Sequence, residues 1–127
     1  MSESFRDVAV DAARQAGAFL RSRFGTRLAV SYKGSPTNLV TEMDRGPEAI
    51  ILDPIRRRFP GHSILAEESG ALAGSEPGAE PYRWIVDPLD GTTNFLWSTP
   101  LFGTCIALAR GDDVLAGVIN LPALGEM

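Results

Sequence analysis

The sequence predicts an α+β domain, with two helices packed on one face of a mostly antiparallel sheet. Three observations lead there. Apolar residues recur at spacings of three and four near the N-terminus and again between about residues 45 and 59. From residue 63 onward, short apolar runs alternate with Gly, Pro and Asp, as strands and turns do. Helices first and strands afterwards is the α+β order. The chain has 127 residues, the size of one ordinary domain. Hydrophobic residues at 44% and charged residues at 22% are enough to build a core without staples.

The first element is a helix over residues 4–24. Phe5, Val8, Ala12, Ala16, Phe19, Leu20 and Phe24 gather on one stripe. Ser4 with Asp7 resembles a capping box, and Gly25 is a natural stop. Residues 28–32 read as a short strand, and Lys33-Gly34-Ser35-Pro36 as a turn. A second helix is expected to start after Asp44, with Pro47 in its first turn, and to run to about Phe59. Its apolar face is read as Ala49, Ile50, Leu52, Ile55 and Phe59. Pro54 should kink or break it over residues 50–54, since an interior proline costs about 3 kcal/mol. Arg56-Arg57-Arg58 then forms a solvated helix end, where cations offset the dipole.

His62 falls in the turn that follows, and Ser63 to Ala66 reads as a strand ending in Glu67-Glu68. Residues 69–81, rich in Gly, Ala, Glu and Pro, read as a long surface loop. Arg83 to Asp87 is the next strand. Two more, Phe102 to Ala109 and Val114 to Leu121, are joined by Arg110-Gly111-Asp112-Asp113, which is hairpin chemistry. Cys105 is expected in the core of its strand, and Trp84 and Trp97 are expected to pack in the core and under a loop.

Composition excludes several function classes. The net charge is -4, which disfavours a broad nucleic-acid-binding surface. A single cysteine cannot form an internal disulfide and points to a reducing compartment, the cytoplasm. No segment reads as a signal peptide, and no apolar run approaches membrane-spanning length. A Ca²⁺ loop of spaced Asp and Asn with a distal Glu is not found in the sequence.

What carries chemistry is Trp84 to Phe95, WIVDPLDGTTNF. An apolar strand runs into Asp87 and Asp90, and Pro88, lacking an N–H, is expected to end the ladder. Adjacent carboxylates repel unless a proton or cation lies between them. A hard divalent cation such as Mg²⁺ suits oxygen ligands, taking one or two carboxylates and filling its remaining positions with water and phosphate. Gly91 and Thr92 place backbone N–H groups where a helix starts, a phosphate-binding arrangement. Glu67-Glu68 repeats the theme of a strand ending in acid. A pair of such cations would also offset the charge of a bound phosphate.

The ordered set Val40-Thr41-x-x-Asp44, Phe59-Pro60-x-His62, Glu67-Glu68-Ser69 and the block Trp84 to Phe95 resembles the inositol monophosphatase family. The resemblance runs from about residue 4 to the last residue and is similar to the first half of that family's fold. It implies a layered α/β sandwich, with residues 1–127 as the N-terminal metal-binding domain of a Mg²⁺-dependent phosphomonoesterase. The implied substrate is a small inositol or sugar phosphate, since Thr93-Asn94-Phe95 fits those branches of the family. By position, Glu67, Asp87 and the Leu89 carbonyl would hold a first metal, and Asp87 with Asp90 a second. Thr92, paired with Asp44, would orient the attacking water, and the Gly91 and Thr92 amides would hold the phosphate. Glu68 would support Glu67, and Lys33 would lie in a loop that folds over the site.

The family's Trp-Asp-x-Ala motif, which completes the second metal site, is not among these residues. The resemblance therefore implies weak activity for this chain alone, and the alternative is a truncated, non-catalytic remnant that binds metal or a partner chain. Apolar alternation from Val114 to Leu121 implies a strand face that a second copy or a partner chain supplying the other half would cover.

Overall fold

Ser4 opens helix α1 (Phe5–Arg23) as read, its side chain accepting the Asp7 N–H at 3.1 Å. A computed structural model describes residues 4–25, 36–74 and 81–127, with backbone alone for residues 36–44. The expected strand over residues 28–32 and the role of Lys33 lie outside the described residues. On α1, Val8, Ala9, Ala12, Ala13, Ala16 and Leu20 are buried, so small residues let the helix lie close to the sheet.

Helix α2 (Pro36–Arg58) begins earlier than its expected start after Asp44, with proline in the first position, where its missing N–H is harmless. It passes unbroken through both Pro47 and Pro54, so of the kink or break expected over residues 50–54 the break does not occur. Magnitudes explain this. An interior proline costs about 3 kcal/mol, whereas full burial of one aliphatic side chain returns about 1.5–3 kcal/mol. Ile51, Leu52 and Ile55 are all buried, and both prolines are buried with them. Ala49, read as part of the apolar face, is exposed; Ile51 takes that place. Gly46 closes the α1–α2 contact, since a Cβ there would lie 2.8 Å from Phe19 Cζ.

The described strands form one sheet in the order β2-β1-β3-β4-β5. They are β1 (Ser63–Ala66), β2 (Gly70–Leu72), β3 (Tyr82–Asp90), β4 (Gly103–Arg110) and β5 (Asp113–Asn120). Only β1 and β3 pair in parallel; the rest pair antiparallel. The architecture is α+β, as predicted. β2 corrects the long loop expected over residues 69–81, because Gly70, in the left-handed region at φ +74°, turns the chain back along β1. The β4–β5 hairpin turns at Gly111 (φ +59°) as its sequence suggests.

Both long helices cover one sheet face. Ile64, Ala66, Trp84, Val86, Ile106, Leu108 and Val118 form the core with them. Asn120 ties β5 to α1 by donating from Nδ2 to the Ala13 carbonyl at 2.9 Å, and a side chain at Gly17 would collide with that amide. His62 is structural, as read: its Nδ1 accepts the Trp84 indole N–H at 3.0 Å, and its ring stacks on Phe59. Arg56, Arg57 and Arg58 are exposed, Arg57 pairing with Asp53 at 3.1 Å. Trp97 does not pack under a loop; it is 80% exposed at the end of a short helix α3 (Thr92–Leu96).

Candidate metal centre

Parallel pairing of β1 with β3 brings two acids to one edge. Ala66 lies opposite Val86, and the Glu67 N–H donates to the Val86 carbonyl at 3.2 Å. Glu67 therefore follows in register beside Asp87. Leu65 and Ile85, two residues earlier on each strand, are partly exposed on the face away from the helices. Side chains alternate along strands, so Glu67 and Asp87 belong to that open face too.

Asp90 reaches the same face by an irregularity. Asp87 pairs with Cys105 and Asp90 with Gly103, so three steps on β3 match two on β4. In a regular strand, residues three apart point to opposite faces. One extra residue restores the match, which is what a β-bulge does. Pro88 does not end the ladder, contrary to expectation: it lies in the bulge, where its missing N–H is harmless. The Pro88 carbonyl accepts from the buried Thr104 hydroxyl at 3.0 Å, and the Leu89 side chain packs with Leu20, Phe95 and Phe102. The bulge is thus held from both sides.

Gly91 leaves the strand at φ +89°, and a Cβ there would lie 2.9 Å from the Leu101 carbonyl oxygen. Glycine meets both demands. Gly91 is also the N-cap of α3, its carbonyl accepting from the Phe95 N–H at 3.0 Å. Thr92 Oγ1 donates to the Leu89 carbonyl at 3.3 Å, and that carbonyl keeps a second lone pair. Asp44 lies in α2 with its side chain outside the description, so its pairing with Thr92 does too. Glu68 is exposed.

Cys105, expected in the core, is only half-buried, on the open face opposite Asp87. Burial pushes its thiol pKa up, and the charges of Asp90 and then Asp87 push it further. Both carboxylates act on one sulfur, in agreement with the bulge placing them on one side.

One atom tests whether the site suits a cation. Asp87 Oδ1 is buried without a hydrogen-bond partner among the described residues. An unpaired buried carboxylate oxygen is costly, and a divalent ion satisfies it directly. Among the described residues there is no group of three or more His, Cys, Asp or Glu that could hold a metal ion. Mg²⁺ does not need one, since it keeps several waters and takes one or two carboxylates. Asp87, Asp90 and the Leu89 carbonyl fit that need. Beside Asp87 lies a cavity of about 610 Å³ lined by Ile85, Cys105, Ala107, Gly117, Ile119 and Met127. Glu67 and Asp90 stand outside this mostly apolar hollow.

Sequence reasoning passed over Glu48, which is buried and bonded to the turn after β1. A signal existed: Glu48 falls on the helical stripe of Ile51, Leu52 and Ile55.

The sequence model of the inositol monophosphatase family matches residues 1–127. An inositol-1-monophosphatase of Mesorhizobium japonicum is 46% identical over 123 residues, 95% of this chain and 45% of that protein. The Nus factor SuhB of Escherichia coli is 44% identical over 123 residues, covering 95% of this chain and 45% of its own. The solved inositol monophosphatase from Anabaena aligns with a TM-score of 0.74 and 41% identity, over 95% of this chain and 41% of that one. The chain spans less than half the length of the relatives it matches. With its strand order, its bulge and its acidic strand ends, this chain belongs to the inositol monophosphatase family.

Proposed function

We propose that the chain is the metal-binding part of a phosphomonoesterase that hydrolyses a small inositol or sugar phosphate with Mg²⁺. The observation that carries this reading is the unpartnered, buried Asp87 Oδ1, on the same sheet face as Asp90 and beside Glu67. Glu67, Asp87 and the Leu89 carbonyl would hold one ion, and Asp87 with Asp90 a second. Bound there, divalent ions would offset phosphate charge and activate water for attack on phosphorus. The chain's own contribution is position. The bulge fixes the two aspartates, Thr92 with Asp44 would orient the water, and the Gly91 and Thr92 amides would hold phosphate oxygens.

Phosphate release from inositol and sugar monophosphates, with and without Mg²⁺, tests this. Turnover should require the metal and vanish in Asp87→Asn. Metal-independent turnover would overturn the reading. The second aspartate site has fewer ligands here than the first, so turnover of this chain alone should be at least about 100-fold below that of a relative carrying both halves, roughly the effect of one missing electrostatic group. A second reading, a chain that binds metal or a partner without turnover, has one observation in its favour. The face bearing Asp87 is open and apolar, with Ile119 61% exposed. Metal binding with no phosphate release, together with a dimer or mixed complex in sedimentation, would select it.

A further inference from the structure

Among the described residues Glu48 is the most deeply buried charged side chain, 3% exposed. Taking a carboxylate out of water is costly, and an apolar residue here would simply extend the stripe of Ile51, Leu52 and Ile55. The carboxylate does something an apolar side chain cannot. Its Oε1 accepts the Glu68 backbone N–H at 3.0 Å, and its Oε2 accepts the Ser69 hydroxyl. Both bonds go to one three-residue turn, Glu67-Glu68-Ser69, between β1 and β2. The turn is held upstream as well, by the Glu67 N–H on the Val86 carbonyl at 3.2 Å. The backbone around the exposed Glu67 is thus held by β3 at its own N–H and by α2 at Glu68 and Ser69. Asp44 stands four residues before Glu48 on the same helix, one turn away.

We propose that Glu48 is a positioning residue for the metal centre. Its two hydrogen bonds fix the turn so that the Glu67 carboxylate is presented beside Asp87, and they tie the helix that carries Asp44 to the same turn. The inference rests on the metal-site reading above. A carboxylate ligand at the start of an untethered turn would sample many orientations, and each binding event would have to order it. Supporting hydrogen bonds around metal ligands commonly govern affinity for this reason.

Mn²⁺ is a suitable probe, because water-proton relaxation reads its binding without turnover. Glu48→Ala should weaken Mn²⁺ about 10- to 100-fold, the usual effect of removing a ligand's support. Glu48→Gln should stay within about threefold, since its Oε1 still accepts from Glu68 while Nε2 donates to the Ser69 hydroxyl. Ser69→Ala removes one bond of the two and should fall between. In metal-free protein, amide exchange at Glu68 should quicken about tenfold or more in Glu48→Ala and little in Glu48→Gln, as expected where a local hydrogen bond is lost. Unchanged Mn²⁺ affinity in folded Glu48→Ala, with binding lost in Asp87→Asn, would overturn the positioning role and leave the metal site standing. Full Mn²⁺ binding by Asp87→Asn would overturn the metal site, and the positioning role with it. Should Glu48→Ala fail to fold, Ser69→Ala decides: affinity equal to that of the parent overturns the role of the clamp.

Discussion

Ile64 and Leu65 are neighbours on β1, yet the first is 3% exposed beneath the helices and the second 40% exposed on the opposite face. Trp84 and Ile85 repeat the contrast on β3, at 0% and 42%. One face of the sheet is a finished core and the other is open. The candidate metal centre lies on the open side, at the ends of β1 and β3, while its rigidity comes from the covered side. Leu89, Thr104 and Glu48 are all buried, and each holds backbone that carries a proposed ligand. Packing on one face thus holds the backbone for the chemistry proposed on the other.

The largest expected effect breaks the covered face. Trp84→Ala should cost about 3–5 kcal/mol in urea denaturation, a large fraction of a small domain's stability. It also strips His62 of its indole donor. Ile85→Ala, one residue along, should cost about 1 kcal/mol or less if its face is truly open in solution. A cost above about 2 kcal/mol for Ile85→Ala would mean that this face is covered, and the cost should then grow with protein concentration.

Next in size is the response to metal. Mg²⁺ at a hundredfold excess over its Kd should stabilise the fold by about 2.7 kcal/mol, a rise of several degrees in Tm. Asp87→Asn should abolish the rise. A melting curve indifferent to millimolar Mg²⁺ would remove the reason for assigning chemistry to the open face.

Much of this contrast was legible in the sequence, and what was not has physical causes. The α1 stripe, the Ser4 cap and the acidic strand ends are local patterns, and they appear where spacing puts them. Pro47 and Pro54 misled because intrinsic propensity was outweighed by burial of their helix face, which only tertiary packing supplies. Pro88 misled in a related way. A missing N–H says that one ladder bond is absent, and both a strand end and a bulge satisfy that. Choosing between them requires β4, more than a dozen residues away. Glu48 drew no reading at all, because its partners, Glu68 and Ser69, are distant in sequence. Asp44 and Lys33 fall where side chains are not described, so those readings remain proposals of the resemblance.

The smallest effect is the most local probe of the two aspartates together. Cys105 pairs with Asp87 across the ladder, and its thiol pKa is raised above the ordinary 9.0 by burial first, then by Asp90 and Asp87. The folded state therefore holds the thiol proton more tightly than the unfolded chain. The sign follows: this contribution to stability is fully present below pH 9.0 and is lost as pH rises through the folded value. Cys105→Ala should flatten that alkaline decline. In the folded protein, reaction of the thiol with a disulfide reagent at pH 8 should be slower than for an exposed cysteine, because thiolate is scarcer. A cation held by both aspartates cancels the two charge effects and leaves burial alone, so Mg²⁺ should speed the reaction. Asp90→Asn should speed it without metal and blunt the response to Mg²⁺. If Mg²⁺ raises the Tm but leaves the thiol rate unchanged, the ion sits away from both Asp87 and Asp90, and the metal centre proposed at the bulge is wrong.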